Sequence, residues 1–267
     1  MKKINVMLVA TLFAISSACS TVPLTGRRQA NLVSDAEIQQ MAAQSYREVL
    51  SDPKTQVVNN TTQSRKVKEI GNNIKNAVTR FMSQQGLSAS IEGFNWEFNL
   101  LQSNDVNAWC MPGGKVAVYT GILPITLNDD GLATVMGHEI AHAIAKHSNE
   151  RYSNAMIAQG AGAILGGAVT KTEAGKGVFN QVFGVGAQAG VLLPNSRKQE
   201  SEADRLGLTF MAMAGYNPDS AVSFWTRMSQ KSGGQAPPEW ISTHPSDATR
   251  IADIKKYLPE ARTYYKK

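Results

Sequence analysis

The sequence predicts an α+β protein, predominantly helical, in which a small β-sheet lies beside one central helix. Three observations carry that expectation. Val67, Ile70, Ile74, Ala77, Val78 and Phe81 recur at three- and four-residue spacing between 62 and 84, the pattern of a helix that buries one face. FNWEFNLL (94–101) and KVAVYTGIL (115–123) are rich in aromatic and β-branched residues, with MPGG as a turn before the second, so both read as strands. GHEIAHAIAKH (137–147) then reads as a helix and holds three of the four histidines in the chain.

The first eighteen residues stand apart. Lys2 and Lys3 precede an apolar run from Val6 to Ile15, and small residues lead up to Cys19, the layout of a secretory signal peptide rather than a membrane span. Ser16, Ser17 and Ala18 ahead of the cysteine resemble a bacterial lipobox, in which the cysteine is lipidated and becomes the new N-terminus. Ser16 stands where leucine is usual. Residues 1–18 are accordingly expected to be a signal peptide, 19–33 a lipid-anchored, extended tether acylated at Cys19, and 34–267 a single domain.

Hydrophobic residues make up 42% and charged residues 18% of the 267, a balance that suits a buried core and sets disorder aside. Loss of Lys2 and Lys3 with the leader lowers Lys+Arg from 27 to 25 against 21 Asp+Glu, so the net charge falls from +6 to +4. No compact run of Lys and Arg exists, so this balance does not point to nucleic acid. With Cys19 acylated, Cys110 is alone, which excludes a disulfide scaffold within one chain. Cys110 is expected to be a buried small hydrophobe.

Along the domain, SDAE (34–37) is a capping box that opens a helix over 35–50, ended by SDP. The 62–84 helix and the two strands follow. From 155 to 193 the composition shifts to Gly, Ala and Val, interrupted by Lys171, Glu173 and Lys176. Those charges argue against a transmembrane hairpin, and the segment reads as a flexible helical hairpin, able to act as a lid or as a lipid- or partner-facing surface. A helix over 198–214 stops at Gly215, and Asn217 with Pro218 opens another. KSGGQAPP is a loop, and HPSDATRIADIKKYL begins the last helix.

The chemistry centres on the histidines. On an α-helix each residue advances about 100°, so His138 and His142 lie about 40° apart and both imidazoles can reach one metal. Glu139 is about 100° from His138, near enough to reach a metal-bound water without ligating the ion, as the H-E-x-x-H pattern requires. His147 falls about 180° round a continued helix and is expected to be structural. It does not fit the zinc-protease pattern with a third histidine six residues after the second, because the offset is five and no glycine turns the chain.

A catalytic zinc keeps three protein ligands and one open position, so a further ligand must come from elsewhere. SRKQESEADRLG (196–207) offers Glu200 and Asp204 four residues apart on one helix face. One can ligate while the other holds the free N–H of a ligand histidine. Glu202, about 200° from Glu200, faces away.

NAWCMPGGKVAVYTGIL, GHEIAHAIAKHSNER, SRKQESEADRLG and STHPSDATRI occur in the order found in a zinc metallopeptidase family. That family includes the CAAX prenyl-protein endopeptidases, the HtpX heat-shock protease and the mitochondrial Oma protease, and the chain resembles its compact bacterial lipoprotein branch. The resemblance implies a gluzincin-type zincin domain with one Zn2+ per chain, held by His138, His142 and Glu200, with Asp204 behind the ligands. It implies peptide hydrolysis with Glu139 as general base, Asn107 bonding the substrate peptide and His244 stabilising the oxyanion. The strand from Lys115 to Thr120 is expected to serve as an edge on which an extended substrate pairs. Trp109 and Cys110 replace the family's commoner form, so the adjacent specificity pocket does not carry over. Expected partners are unfolded or misassembled proteins of the bacterial cell envelope, met from a periplasm-facing lipid anchor at the membrane. A chaperone or assembly factor that uses the same cleft with little proteolysis is the alternative reading.

Overall fold

The computed structural model describes residues 19–158, 172–183, 196–231, 244 and 249–266. The chain enters through a short antiparallel hairpin of β1 (Cys19–Thr21) and β2 (Arg28–Ala30). The stretch expected to be an extended tether is therefore folded onto the domain. Val22, Gln29 and Val33 are buried, and Arg27 pairs with Glu150 and Glu202.

Helix α1 (Asp35–Ser51) starts on the expected capping box, with Ser34 accepting from the Glu37 N–H and Glu37 reaching back. Helix α2 (Thr62–Gln84) starts on a second box, Thr61 with Ser64, and buries Val67, Ile70, Ile74, Ala77, Val78 and Met82. Phe81, the expected end of that stripe, lies to one side and meets Tyr264 edge-on.

Four strands form the sheet: β3 (Val57–Val58), β4 (Glu97–Leu101), β5 (Ala108–Met111) and β6 (Lys115–Tyr119). Their order is β3-β4-β6-β5, with β4 and β6 parallel and the outer pairs antiparallel. This topology corrects one expectation. The strand over 115–120 is not an edge, because β6 is paired on both sides, with β5 at the edge next to it and β3 at the other. β5 joins β6 through Pro112–Gly113–Gly114, where both glycines take positive φ (79° and 82°). The Trp96 ring lies so close to Gly114 that a Cβ there would stand 2.4 Å from it. Beyond Tyr119 the strand gives way to a 3-10 turn (Thr120–Ile122) and the one-turn helix α3 (Leu123–Thr126), where Pro124 cannot continue a ladder.

Helix α4 (Asp129–Ile144) is capped by Asn128 and is buried at every residue from Gly131 to Ile144. It packs beside β5 and α2, and most extensively against α7 (Arg197–Met213). Two glycines face each other where α4 and α7 cross. A Cβ on Gly137 would stand 2.8 Å from the Gly207 carbonyl oxygen, and one on Gly207 2.8 Å from the His138 nitrogen. This close approach brings polar side chains of both helices to one point.

Helix α4 ends at Ala145. Lys146 takes a left-handed φ of 58°, and α5 (His147–Ala158) sets off in a new direction. α6 (Glu173–Phe183), α8 (Ser220–Lys231) and α9 (Arg250–Arg262) complete the described helices. Of the 155–193 segment expected to be a helical hairpin, 155–158 end α5 and 173–183 form α6, and most of the rest lies outside the described residues. One core joins α2, the sheet, α4, α7, α8 and α9, and a second lies under α1 around Tyr46 and Tyr152. No described helix is long and apolar enough to cross a membrane.

Candidate metal centre

Consecutive turns of α4 bring the His138 and His142 rings to 4.6 Å between centroids and their Nε2 atoms to 3.0 Å. Helix α7 opens on a Ser196–Gln199 capping box and presents Glu200 from its first turn. Glu200 Oε1 lies 3.3 Å from His142 Nε2, and Oε2 lies 3.3 Å from His138 Nε2. Asp204, one turn further on, stands 2.9 Å from the other nitrogen of His138, Nδ1.

His244 completes the group. Its Nδ1 is 3.2 Å from His138 Nε2 and 3.1 Å from Glu200 Oε1, while its Nε2 is 3.4 Å from Glu139 Oε1. One ligating atom from each of His138, His142, Glu200 and His244 lies within 4.8 Å of all the others, and all four residues are buried. Glu139, also buried, stands beside the cluster.

These residues fit a zinc ion. Glu200 Oε2 has no hydrogen-bond donor among the described residues, although Arg250 Nη1 pairs with it ionically at 2.9 Å. Asp204 accepts the His138 Nδ1 proton, so in the neutral imidazole Nε2 carries the lone pair that points into the cluster. Three imidazole nitrogens and one carboxylate are donors that zinc takes in tetrahedral sites. The two histidines of α4 differ in their electrostatics. Burial works against a charge on His138, but Glu200 and Asp204 outweigh it and lift the imidazole to about 9. At His142 burial wins and holds it well below the usual histidine range. Burial alone would raise the Glu200 carboxyl, yet His244, Arg250, His138 and His142 hold it well below the usual carboxylate range. An ionised carboxylate among convergent imidazoles makes a seat for a cation.

Arg250, the first residue of α9, is the participant that sequence reasoning missed. Its Nε and Nη2 each donate to an Asp204 oxygen at 2.8 Å, and its guanidinium lies 3.5 Å from the centroid of the Trp225 ring. A planar fork that also stacks on an indole suits arginine and not lysine. The available signal was its place in STHPSDATRI, six residues after His244.

His147 is not turned away from the site. The helical count fails because α4 stops before it, and α5 carries its ring back toward His142. His147 Nδ1 lies 2.8 Å from His142 Nδ1, and its Nε2 lies 3.0 Å from Glu202 Oε2. Glu202 does face away from the ligating atoms, as expected, and meets His147 instead.

Asn107 lies outside the cluster. It is buried just before β5, and its carbonyl accepts from the Tyr119 N–H. Cys19 begins β1. Cys110 is buried as expected, and burial pushes its thiol well above the usual range.

Residues 71–258 match the model of Peptidase family M48. The chain belongs to this family. Its M48 relatives include the mitochondrial metalloendopeptidase OMA1 of Saccharomyces cerevisiae, 37% identical over 66% of this chain and 50% of the yeast protein. OMA1 of Schizosaccharomyces pombe is 33% identical over 90% of this chain and 67% of its own length. The beta-barrel assembly-enhancing protease of Escherichia coli is 28% identical over 62% of this chain and 35% of its own length. The chain thus spans about half the length of the first of these relatives and about two thirds of the second.

Proposed function

We propose that the chain is a zinc endopeptidase that cuts unfolded or misassembled proteins of the bacterial cell envelope. The convergence of His138, His142 and Glu200, with Glu139 beside them, carries this reading. M48 membership and the metalloendopeptidase relatives support it.

Zinc held by His138, His142 and Glu200 would supply Lewis acidity, lowering the pKa of water toward about 7 and polarising a carbonyl. Glu139 takes the proton of the attacking water and delivers it to the leaving amine. Asp204 fixes the His138 tautomer, and Arg250 holds Asp204 in place. His244 stands in the fourth position of the cluster. For cleavage its ring swings clear of Glu200, and an imidazole N–H then faces the developing oxyanion. The edge strand β5 pairs with an extended substrate, with Asn107 at its start bonding the peptide.

The envelope assignment draws on the leader over residues 1–18 and on Cys19 after it, which reads as the site of a periplasm-facing lipid anchor. The E. coli relative, a beta-barrel assembly-enhancing protease, supports the same compartment.

Glu139→Gln tests the mechanism. The variant is expected to keep one zinc per chain and to cleave casein about 10²–10⁴-fold more slowly. Equal rates in variant and parent would remove Glu139 from the mechanism. His244→Ala is expected to lower kcat about 10²-fold. A faster variant would show that the imidazole closes the site instead of serving the oxyanion.

A further inference from the structure

Behind the cluster a line of polar contacts runs from His142 to the N-terminal hairpin. His142 Nδ1 meets His147 Nδ1 at 2.8 Å, and His147 Nε2 meets Glu202 Oε2 at 3.0 Å. Glu202 in turn receives Arg27 Nε at 2.7 Å and the Thr25 hydroxyl. The same guanidinium grips Glu150 through Nη1 and Nη2, both at 2.8 Å, and Glu150 accepts from Gln199 at 2.8 Å. Arg27 thus pins α5, through Glu150, to the first turns of α7, through Glu202. His147 has no solvent exposure.

With both rings neutral, the donor and acceptor logic of this line has one consistent solution. Glu202, as a carboxylate, only accepts, so His147 Nε2 carries the proton and His147 Nδ1 accepts. The proton between the two rings then belongs to His142 Nδ1, which leaves His142 Nε2 with its lone pair directed at the cluster. Asp204 does the same for His138 directly. Among the described residues His142 has no carboxylate of its own at Nδ1, and His147 extends Glu202's reach to it.

We propose that His147, Glu202 and Arg27 form a positioning chain that sets the tautomer and ring orientation of His142, with the N-terminal hairpin as its outer support. The proposal rests on the reading of His142 as a zinc ligand. It assigns positioning roles to a histidine and a glutamate that helical spacing alone leaves idle. Partners behind a ligand histidine typically contribute about 10–100-fold in metal affinity or activity.

The test uses the full chain and reads zinc affinity by chelator competition, the visible spectrum of the cobalt-substituted protein, and casein cleavage. His147→Phe keeps a ring but neither hydrogen bond, and is expected to weaken zinc binding about 10–100-fold and to alter the cobalt spectrum. His147→Gln retains one acceptor and one donor and is expected to recover most of that loss. Arg27→Met, at the far end, is expected to weaken zinc about 3–10-fold, a smaller effect in the same direction. Arg205→Met, also on α7, breaks an exposed pair with Glu260 of α9 and is expected to change neither readout.

Parent-like zinc affinity and cobalt spectrum in folded His147→Phe would overturn the proposal. If His147→Phe does not fold, parent-like values in Arg27→Met overturn it equally. Failure of the parent itself to bind zinc would overturn the proposed function along with the chain, and so separates the two failures.

Discussion

Two regions flank His142, and they obey different rules. On one side α4 crosses α7, and three of the four donors, His138, His142 and Glu200, lie on two unbroken helices, so residues four apart share a face and meet as the spacing predicts. On the other side α4 gives way to α5 at Lys146, and a count continued through the break puts His147 on the wrong side. Spacing rules hold only as far as the helix does. A single left-handed residue is enough to redirect five helical positions of inference.

The largest effect should come from the crossing. Arg250→Met leaves the Glu200 and Asp204 carboxylates buried beside each other without their guanidinium. Unfolding in urea with a chelator present is expected to show a loss of about 3–5 kcal/mol, part of which added zinc restores. A loss below about 1 kcal/mol would mean that Arg250 contributes no more than a surface charge. Gly207→Ala places a methyl group 2.8 Å from the His138 backbone nitrogen and should cost about 1–3 kcal/mol, with weaker zinc binding as the helices separate. Unchanged zinc affinity there would show that the crossing distance does not set the site.

The smallest effect belongs to the junction and depends on pH. Burial would raise the Glu150 carboxyl, but hydrogen bonds from Arg27 and Gln199 bring it below its ordinary 4.5. A depressed carboxylate stabilises the fold above its unfolded value, and that contribution disappears as pH falls through the lowered one. Arg27→Met is therefore expected to cost about 1–2 kcal/mol at pH 7, with a gap to the parent that narrows below pH 4.5. A gap independent of pH would mean that Arg27 acts through packing alone.

Much of the site was legible because its chemistry repeats with helical spacing. His138, Glu139 and His142 sit within five residues, and Glu200 and Asp204 within another five. Arg250 was not legible, because its partners lie on another helix and a charged residue in a first turn normally faces water. β5 escaped notice because four residues, Ala-Trp-Cys-Met, are too few to show alternation. That omission also misplaced the free edge of the sheet. The 19–33 stretch reads as a tether from its Pro, Gly and polar content, yet Arg27 within it finds two carboxylates that belong to distant helices.

The left-handed residue at Lys146 also limits how the chain can vary in length. Connections between helices usually accept added or deleted residues. Here one residue gained or lost between Ala145 and His147 would displace the left-handed link that aims α5. His147 and Glu150 would turn away together, one from the ligand histidine and the other from Arg27. The junction should therefore be as intolerant of insertions as the interior of α4, even though it is where the helix ends.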